Sequence, residues 1–419
     1  MKHLLLLLLL CHSLIGWGQG LHTRPLSDDI ATLQTYVKGN VNSLPVIKLN
    51  GQEQIYIGFD RLGDDGYNRL RYKIVHCDKN WFPSKGISEI DYLDGFNDNY
   101  INDYALSINT TVDYTHFDLT IPNEDVILKL SGNYAVLIYD DNNPDKELLI
   151  ACFSVVESRV NIGISVSSDT DIDSNKKHQQ VSLNVNQSAV NIRDPFNDLS
   201  LHIRQNNRLD NERILSKPSL ISGNSLIYNH IRDLIFEAGN EYRRFETSSY
   251  RTNGLRVAHI EYRRPFYYAD IMTDNIRANR SYSYDQDQNG RFYIRSIDNN
   301  DDSDIYGDYI QTTFTLYAES PVNGEVYLNG DFTNNNFSDK YRMVYDPMSK
   351  EYNLTLLLKQ GLYNYQYLTE MAAGNYSTSA IEGDYYETEN EYTVYAYFRP
   401  QGQRYDSLIG TTTIQSRKK

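Results

Sequence analysis

Apolar and polar residues alternate along most of this chain. Leu70, Tyr72 and Ile74 alternate with Arg71 and Lys73, and Phe117, Leu119 and Ile121 alternate with His116, Asp118 and Thr120. Successive side chains of a strand point to opposite faces, so a period of two marks a half-buried strand. Helical periodicity is nearly absent. The runs Tyr134 to Tyr139 and Leu148 to Val156 are more continuously apolar, as central strands of a sandwich are. Turn signals at Gly63-Asp64-Asp65-Gly66, Ser131-Gly132-Asn133 and Asp140 to Pro144 separate these runs. Residues 19–157 are therefore expected to form one β-sandwich.

A second β-rich region is expected over 158–305. Ile162, Ile164 and Val166 alternate, as do Val181, Leu183 and Val185, and Leu199, Leu201 and Ile203. Asp194-Pro195 and Lys217-Pro218 punctuate it, a short helix is expected near Asn229 to Glu237, and the acidic cluster Asp298 to Asp304 reads as a linker or exposed loop. The clearest pattern lies in 306–419. Phe314, Leu316 and Ala318 alternate, then Tyr352, Leu354, Leu356 and Leu358, then Tyr363, Tyr365 and Tyr367 after Gln360-Gly361, with last strands over Tyr392 to Phe398 and Tyr405 to Ile414. Roughly seven short strands in about 110 residues suggest an immunoglobulin-like sandwich. The expectation is an all-β protein of two or three consecutive β-sandwich domains.

The first residues follow another logic. A charged start at Met1-Lys2-His3, an apolar run from Leu4 to Leu10 and small residues at Gly16 and Gly18 follow the order of a secretory signal peptide, residues 1–18. The stretch is shorter than the roughly 20 residues that span a bilayer, so membrane insertion is not expected. Cleavage after Gly18 removes Cys11 and leaves Cys77 and Cys152, which an exported protein can join as a disulfide or keep as two buried thiols. A disulfide would close a loop worth roughly 4 kcal/mol in the chain-entropy model.

Composition sharpens the picture. The net charge of −15 argues against a nucleic-acid partner, which needs a basic surface. Tyrosine is abundant, with 36 residues against 14 Phe, and suits broad, half-wet sheet surfaces. An outer-membrane barrel would also use aromatic girdles, but one face of these strands is rich in Lys, Arg, Asp and Asn, which fits half-buried soluble sheets.

No motif points to catalysis. His76 and Cys77 are neighbours on a strand and face opposite ways, so the imidazole cannot activate the thiol directly. Asp285-Gln286-Asp287-Gln288-Asn289-Gly290 copies half of a calcium loop, but Ser296 stands where a bidentate Glu is needed. Asn289-Gly290 reads instead as a hairpin turn between Tyr282-Tyr284 and Phe292-Ile294, although acidic loops of exported proteins can hold calcium weakly. No cofactor site is expected. Val326 to Phe332, Tyr352 and Lys359 to Tyr367 resemble glycogen- and starch-binding sandwich modules, which stack sugars on exposed aromatics; no Trp follows Asn336, where a stacking Trp would be expected. An exported carbohydrate-binding protein is the alternative reading.

A longer series of motifs carries a second resemblance. It runs through Tyr72-Lys73-Ile74-Val75-His76-Cys77-Asp78-Lys79-Asn80-Trp81, Tyr92-Leu93-Asp94-Gly95-Phe96, Tyr114-Thr115-His116 and Ser131-Gly132-Asn133-Tyr134. It continues through Phe236 to Glu246, Lys359 to Tyr367, Glu382-Gly383-Asp384, Thr388 to Tyr392 and Arg404 to Gly410. In this order the series resembles the plug protein family of the type IX secretion system of Bacteroidetes. The resemblance implies a periplasmic, non-enzymatic protein that binds the periplasmic mouth of the outer-membrane translocon barrel. It would seal the pore when no substrate complex occupies it.

Physical reasoning alone suggests where such a partner could dock. The segment from Asn80 to Tyr100 carries Trp81, Phe82, Tyr92, Phe96 and Tyr100 among Asp and Asn, and aromatics beside polar groups are favoured interface anchors. The plainer expectation is that Trp81 and Phe96 are core residues beneath a long loop.

Overall fold

The computed structural model describes residues 20–63, 69–298 and 302–417. The expected signal peptide with its cleavage point, Asp64 to Gly66 of the first turn, residues 299–301 of the acidic cluster, and Lys418-Lys419 lie outside the described residues. Strands dominate, and every helical segment is a single turn. The protein is all-β, built from sheets packed in pairs around three hydrophobic cores.

The first core runs from Ile30 to Val155. One sheet orders Asn143–Val156, Gly132–Asp140 and Leu70–Cys77 side by side, and the facing sheet orders Ile30–Val37, Ile55–Leu62, Tyr114–Ile121 and Asp103–Leu106. Alternation works as the sequence suggests: Ile55, Ile57 and Phe59 point into the core. The long apolar strand Asn143–Val156 is central, paired on both edges.

The remaining two cores do not follow a division at 305/306. The second core takes Ile162 to Phe236 and then Tyr392 to Ile409. Leu199–Gln205 pairs antiparallel with Glu391–Phe398, which in turn pairs with Ser407–Gln415. Between these two halves the chain builds the whole third core, from Phe245 to Ile381. There Arg243–Glu246 and Phe292–Ile294 both pair with Gly361–Ala372, and Tyr309–Tyr317 pairs with Glu351–Lys359. The strands expected to make one sandwich after residue 306 are thus shared between two cores. Strand pairing is non-local, and alternation reports which face is buried without naming the partner strand.

Two local expectations also change in whole or in part, and the structure decides a third that was open. Over Asn229 to Glu237 there is one 3-10 turn, Arg232–Leu234, followed by a strand Ile235–Glu237 that pairs with His178–Asn186. Sheet pairing at a half-buried surface, which suits Ile235 and Phe236, overrides the helical spacing there. Asn289 and Gly290 do form a turn, with φ of 53° and 91°, but Phe292–Ile294 pairs with Gly361–Ala372 and not with Tyr282-Tyr284. Finally, Cys77 and Cys152 are free, buried thiols. They flank one strand from opposite sides, Cys77 opposite Asn133 and Cys152 opposite Ala135. Two strand spacings make about 9.5 Å, beyond the roughly 7 Å that a disulfide bridges.

Two of the seams that join the cores differ in chemistry. The first and second meet through Val156, Tyr395, Tyr397, Leu408 and Val46, and the Tyr397 hydroxyl donates to Asn133 Oδ1 at 2.9 Å. The first and third meet over charge. Tyr56, Asp60, His116 and Asp118 lie on the polar face of the first core's outer sheet, and the third core covers that face. Lys359 reaches Asp60 Oδ2 at 2.6 Å with both side chains fully buried. The Tyr309 hydroxyl donates to the same oxygen at 2.6 Å, and His116 Nδ1 donates to Asp60 Oδ1 at 2.6 Å. Lys359 also donates to the Asp304 carbonyl at 2.6 Å and lies 4.2 Å from the ring centre of Tyr114. Burial works against charge on both His116 and Asp60, but their partners win: hydrogen bonds to Asp118 and then Asp60 raise the His116 imidazole to about 10, and Asp60 is held below the ordinary carboxylate range, chiefly by Lys359.

Candidate docking surface

The segment from Asp78 to Tyr100 leaves the end of strand Leu70–Cys77 and returns to pair with the same strand. Its first turn is tied by Asp78, whose Oδ1 accepts from the backbone N–H of Asn80 at 2.9 Å and of Phe82 at 3.0 Å. Trp81 sits in that turn with a left-handed φ of 66°. Its half-buried side chain packs on the small cluster of Leu21, Cys77, Ala135, Ile150 and Cys152. Phe82 is half-buried. His76 is buried between Ser84, whose Oγ is 2.8 Å from Nδ1, and the Ser131 carbonyl, 3.2 Å from Nε2. Burial lowers it to about 4, so it is neutral.

A one-turn helix, Glu89–Tyr92, follows. The Asp91 carboxylate accepts from the Ser88 backbone N–H at 2.8 Å and from Arg404 at 3.0 Å, which ties the turn to the second core's last loop. Tyr92 turns inward, joins the first core and donates to the Ile74 carbonyl at 3.2 Å. The chain then makes a short strand, Leu93–Gly95, paired with Val126–Leu128. Gly95 has a φ of 110°, and a Cβ there would collide with the Asp125 carbonyl oxygen, so only glycine serves. Beyond it, the Asn97 side chain replaces a strand partner for Ile74, accepting from its N–H at 2.7 Å and donating to its carbonyl at 2.9 Å.

Phe96 stands between these two anchored points with 69% of its surface exposed. Ile90 on the helical turn is 79% exposed, and Ile127, opposite Asp94 in the paired strand, is 56% exposed. Leu93, Val126 and Leu128 of the same two-stranded ribbon are buried. The ribbon therefore holds a bare apolar tip on a fixed base. Tyr100 is 37% exposed, its ring faced by the Arg71 guanidinium at 4.7 Å and its hydroxyl 3.3 Å from Asp141. Of the five aromatics expected to anchor a partner, Phe96 and Tyr100 are outward, Trp81 and Phe82 are intermediate, and Tyr92 belongs to the core. Ile90 and Ile127 were missed by sequence reasoning. Ile127 sits in an ordinary strand alternation, and only the pairing with Leu93–Gly95 puts it at the tip.

The other candidate chemistry is occupied. Asp285 is paired with Arg244, and the Asp287 carboxylate accepts from the backbone N–H groups of Tyr242 and Asn289. Among the described residues no group of three or more His, Cys, Asp or Glu could hold a metal. Tyr363, Tyr365 and Tyr367 are buried, and the last two donate to Asp274 Oδ2 at 2.8 Å each, so none of them offers a face for a sugar. No described helix is long and apolar enough to cross a membrane.

Fold and surface together define an all-β protein of stacked sheets that holds an apolar tip on its first core. Residues 30–157 match the family described as the type 9 secretion system plug protein 1st domain, a match that spans the first core and the two-stranded ribbon. The chain belongs to the type 9 secretion system plug family, which ties it to type IX secretion. It is also similar to a crystal structure of a hypothetical protein from Parabacteroides merdae, with 47% identity, coverage of 94% of this chain and 99% of that one, and a TM-score of 0.91. No curated protein matches the chain.

Proposed function

We infer that this protein is a periplasmic plug: it binds the periplasmic opening of the outer-membrane type IX translocon and seals the pore when no substrate complex occupies it. Family membership carries this reading. The exposed tip of Ile90, Phe96 and Ile127 supports it, because exposed apolar residues on a rigid base are what an interface core needs. Sealing a pore calls for shape and surface and no chemical step, so the protein acts without catalysis. Affinity purification of the tagged protein from solubilised outer membrane, with mass identification of what comes with it, tests the reading. A large barrel protein of the type IX system is the expected companion, and loss of the plug should make the outer membrane leaky. Binding of a glucan, read by calorimetry, would favour the carbohydrate-binding alternative.

A further inference from the structure

Leu93, Val126 and Leu128 are buried on the ribbon's inner face, so the cross-strand partners Asp94 and Ile127 lie side by side on its outer face. Phe96 and Asp125 stand at the ribbon's end, where the Asp125 carbonyl oxygen packs on Gly95. The charge around this tip is mostly negative. Glu89, next to Ile90, and Asp94, Glu124 and Asp125 are all exposed. None of these four belongs to an ion pair among the described residues, whereas Asp91 is tied to Arg404 and Asp98 to Arg71. Two exposed lysines stand on the same stretches of chain, Lys85 and Lys129, and Lys129 is turned onto the Ile90 carbonyl at 2.6 Å. Four unpaired carboxylates against two ammonium groups leave a negative rim around an apolar centre.

An apolar centre inside a charged rim is the anatomy of a protein interface. The sign of the rim narrows what can cover it. A second copy of this chain would bring its own carboxylates against these, and an anionic lipid surface would be repelled in the same way. A protein surface with an apolar pocket ringed by lysine and arginine meets both parts. The pocket takes the Phe96 ring, and the basic ring gives the carboxylates the counter-charges that this chain does not supply. The two parts act on different steps: opposed rim charges speed encounter and are screened by salt, while a buried aromatic anchor slows release.

Given the plug function, we propose that the tip docks in an apolar pocket rimmed by lysine and arginine on the translocon barrel. The carboxylates set how fast the two proteins meet, and Phe96 sets how long they stay together. The test immobilises the tagged protein and follows binding of the purified barrel in a non-ionic detergent at 0.1 M and 1 M NaCl. The screening length falls from about 10 Å to about 3 Å between these salts. The association rate should fall about tenfold and the dissociation rate should hardly change. Glu89→Gln, Asp94→Asn, Glu124→Gln and Asp125→Asn combined should bring the 0.1 M association rate down to the 1 M value. Phe96→Ala should instead speed dissociation and leave association as it was. An association rate indifferent to salt, or unchanged in the neutralised variant, would overturn the basic rim and leave the plug function standing. The salt series uses the native protein and decides even if a variant does not fold. A native dimer in sedimentation, or flotation with phosphatidylglycerol vesicles, that Phe96→Ala abolishes would assign the tip to a second copy or to lipid and overturn the proposal. No binding of the barrel at either salt would overturn the plug function, and the basic rim with it.

Discussion

The first core presents two contrasting surfaces. Around Asp60 and His116 charged side chains are buried beneath the third core, while at the ribbon's tip Ile90, Phe96 and Ile127 lie bare. Proteins usually do the reverse, burying apolar groups and leaving charges wet. The covered charges act within the molecule. Each has partners close enough to compensate its lost hydration, so the seam holds the first and third cores in one arrangement. The bare apolar tip has no such internal use, and its flanking residues are anchored. The contrast suggests that rigidity is made at the seam and spent at the tip.

Breaking the seam should have the largest effect. Lys359→Met leaves Asp60 buried with only part of its compensation, and we expect a loss of about 3–5 kcal/mol, read by denaturant unfolding. Combining it with Asp60→Asn should restore part of that loss, because the orphaned charge is then removed. An unchanged midpoint for Lys359→Met would mean that the seam does not hold the cores together.

The same seam should respond to pH. A His whose folded value is raised to about 10 gives stability that is complete below its unfolded value, about 6.5, and is lost as pH rises through about 10. Asp60, depressed on folding, gives stability that is present above about 3.9 and lost as pH falls below that. Unfolding midpoints should therefore fall between about pH 7 and pH 10, and His116→Gln should flatten that alkaline decline. A decline of the same size in the variant would assign it to other groups.

The seam between the first and second cores is apolar at its centre, its Asp91–Arg404 ion pair being partly exposed, and disturbing it should cost less. Tyr397→Phe removes one buried hydrogen bond to Asn133, worth about 1 kcal/mol by thermal or denaturant unfolding. A loss as large as that of Lys359→Met would erase the distinction between the two seams. The smallest stability effect belongs to the tip. Phe96→Ala should change stability by no more than about 0.5 kcal/mol, because the ring touches little within the molecule. Tyr100→Ala is a less clean probe, since it also removes the ring facing Arg71.

Much of this was legible in the sequence, for definite physical reasons. Strands such as Leu70–Cys77, Tyr114–Ile121 and Glu351–Lys359 lie where period-two alternation places them, because alternation directly encodes a half-buried sheet. The return of Glu391–Phe398 to Leu199–Gln205 was not legible, since it joins residues nearly two hundred positions apart and any apolar strand face offers a similar pattern. His116 reads as a residue of a polar strand face, and the alternation that makes the face polar carries no word of the third core that covers it. At the candidate site, the aromatic content of Asn80 to Tyr100 drew notice, but composition could not sort Tyr92, which turns inward, from Phe96, which turns out. Ile90 and Ile127 needed the pairing of Leu93–Gly95 with Val126–Leu128 to be seen. Cys77 and Cys152 show how spacing along the chain is silent about the strand between them.

The most direct test of the plug reading compares the tagged native protein with its Phe96→Ala variant in purification from solubilised outer membrane. The account predicts that the native protein brings down the type IX translocon barrel, and that the variant brings down clearly less while unfolding at the same midpoint. Recovery of no barrel protein with the native chain would contradict the plug function itself, and equal recovery with both would contradict the apolar tip as its docking surface.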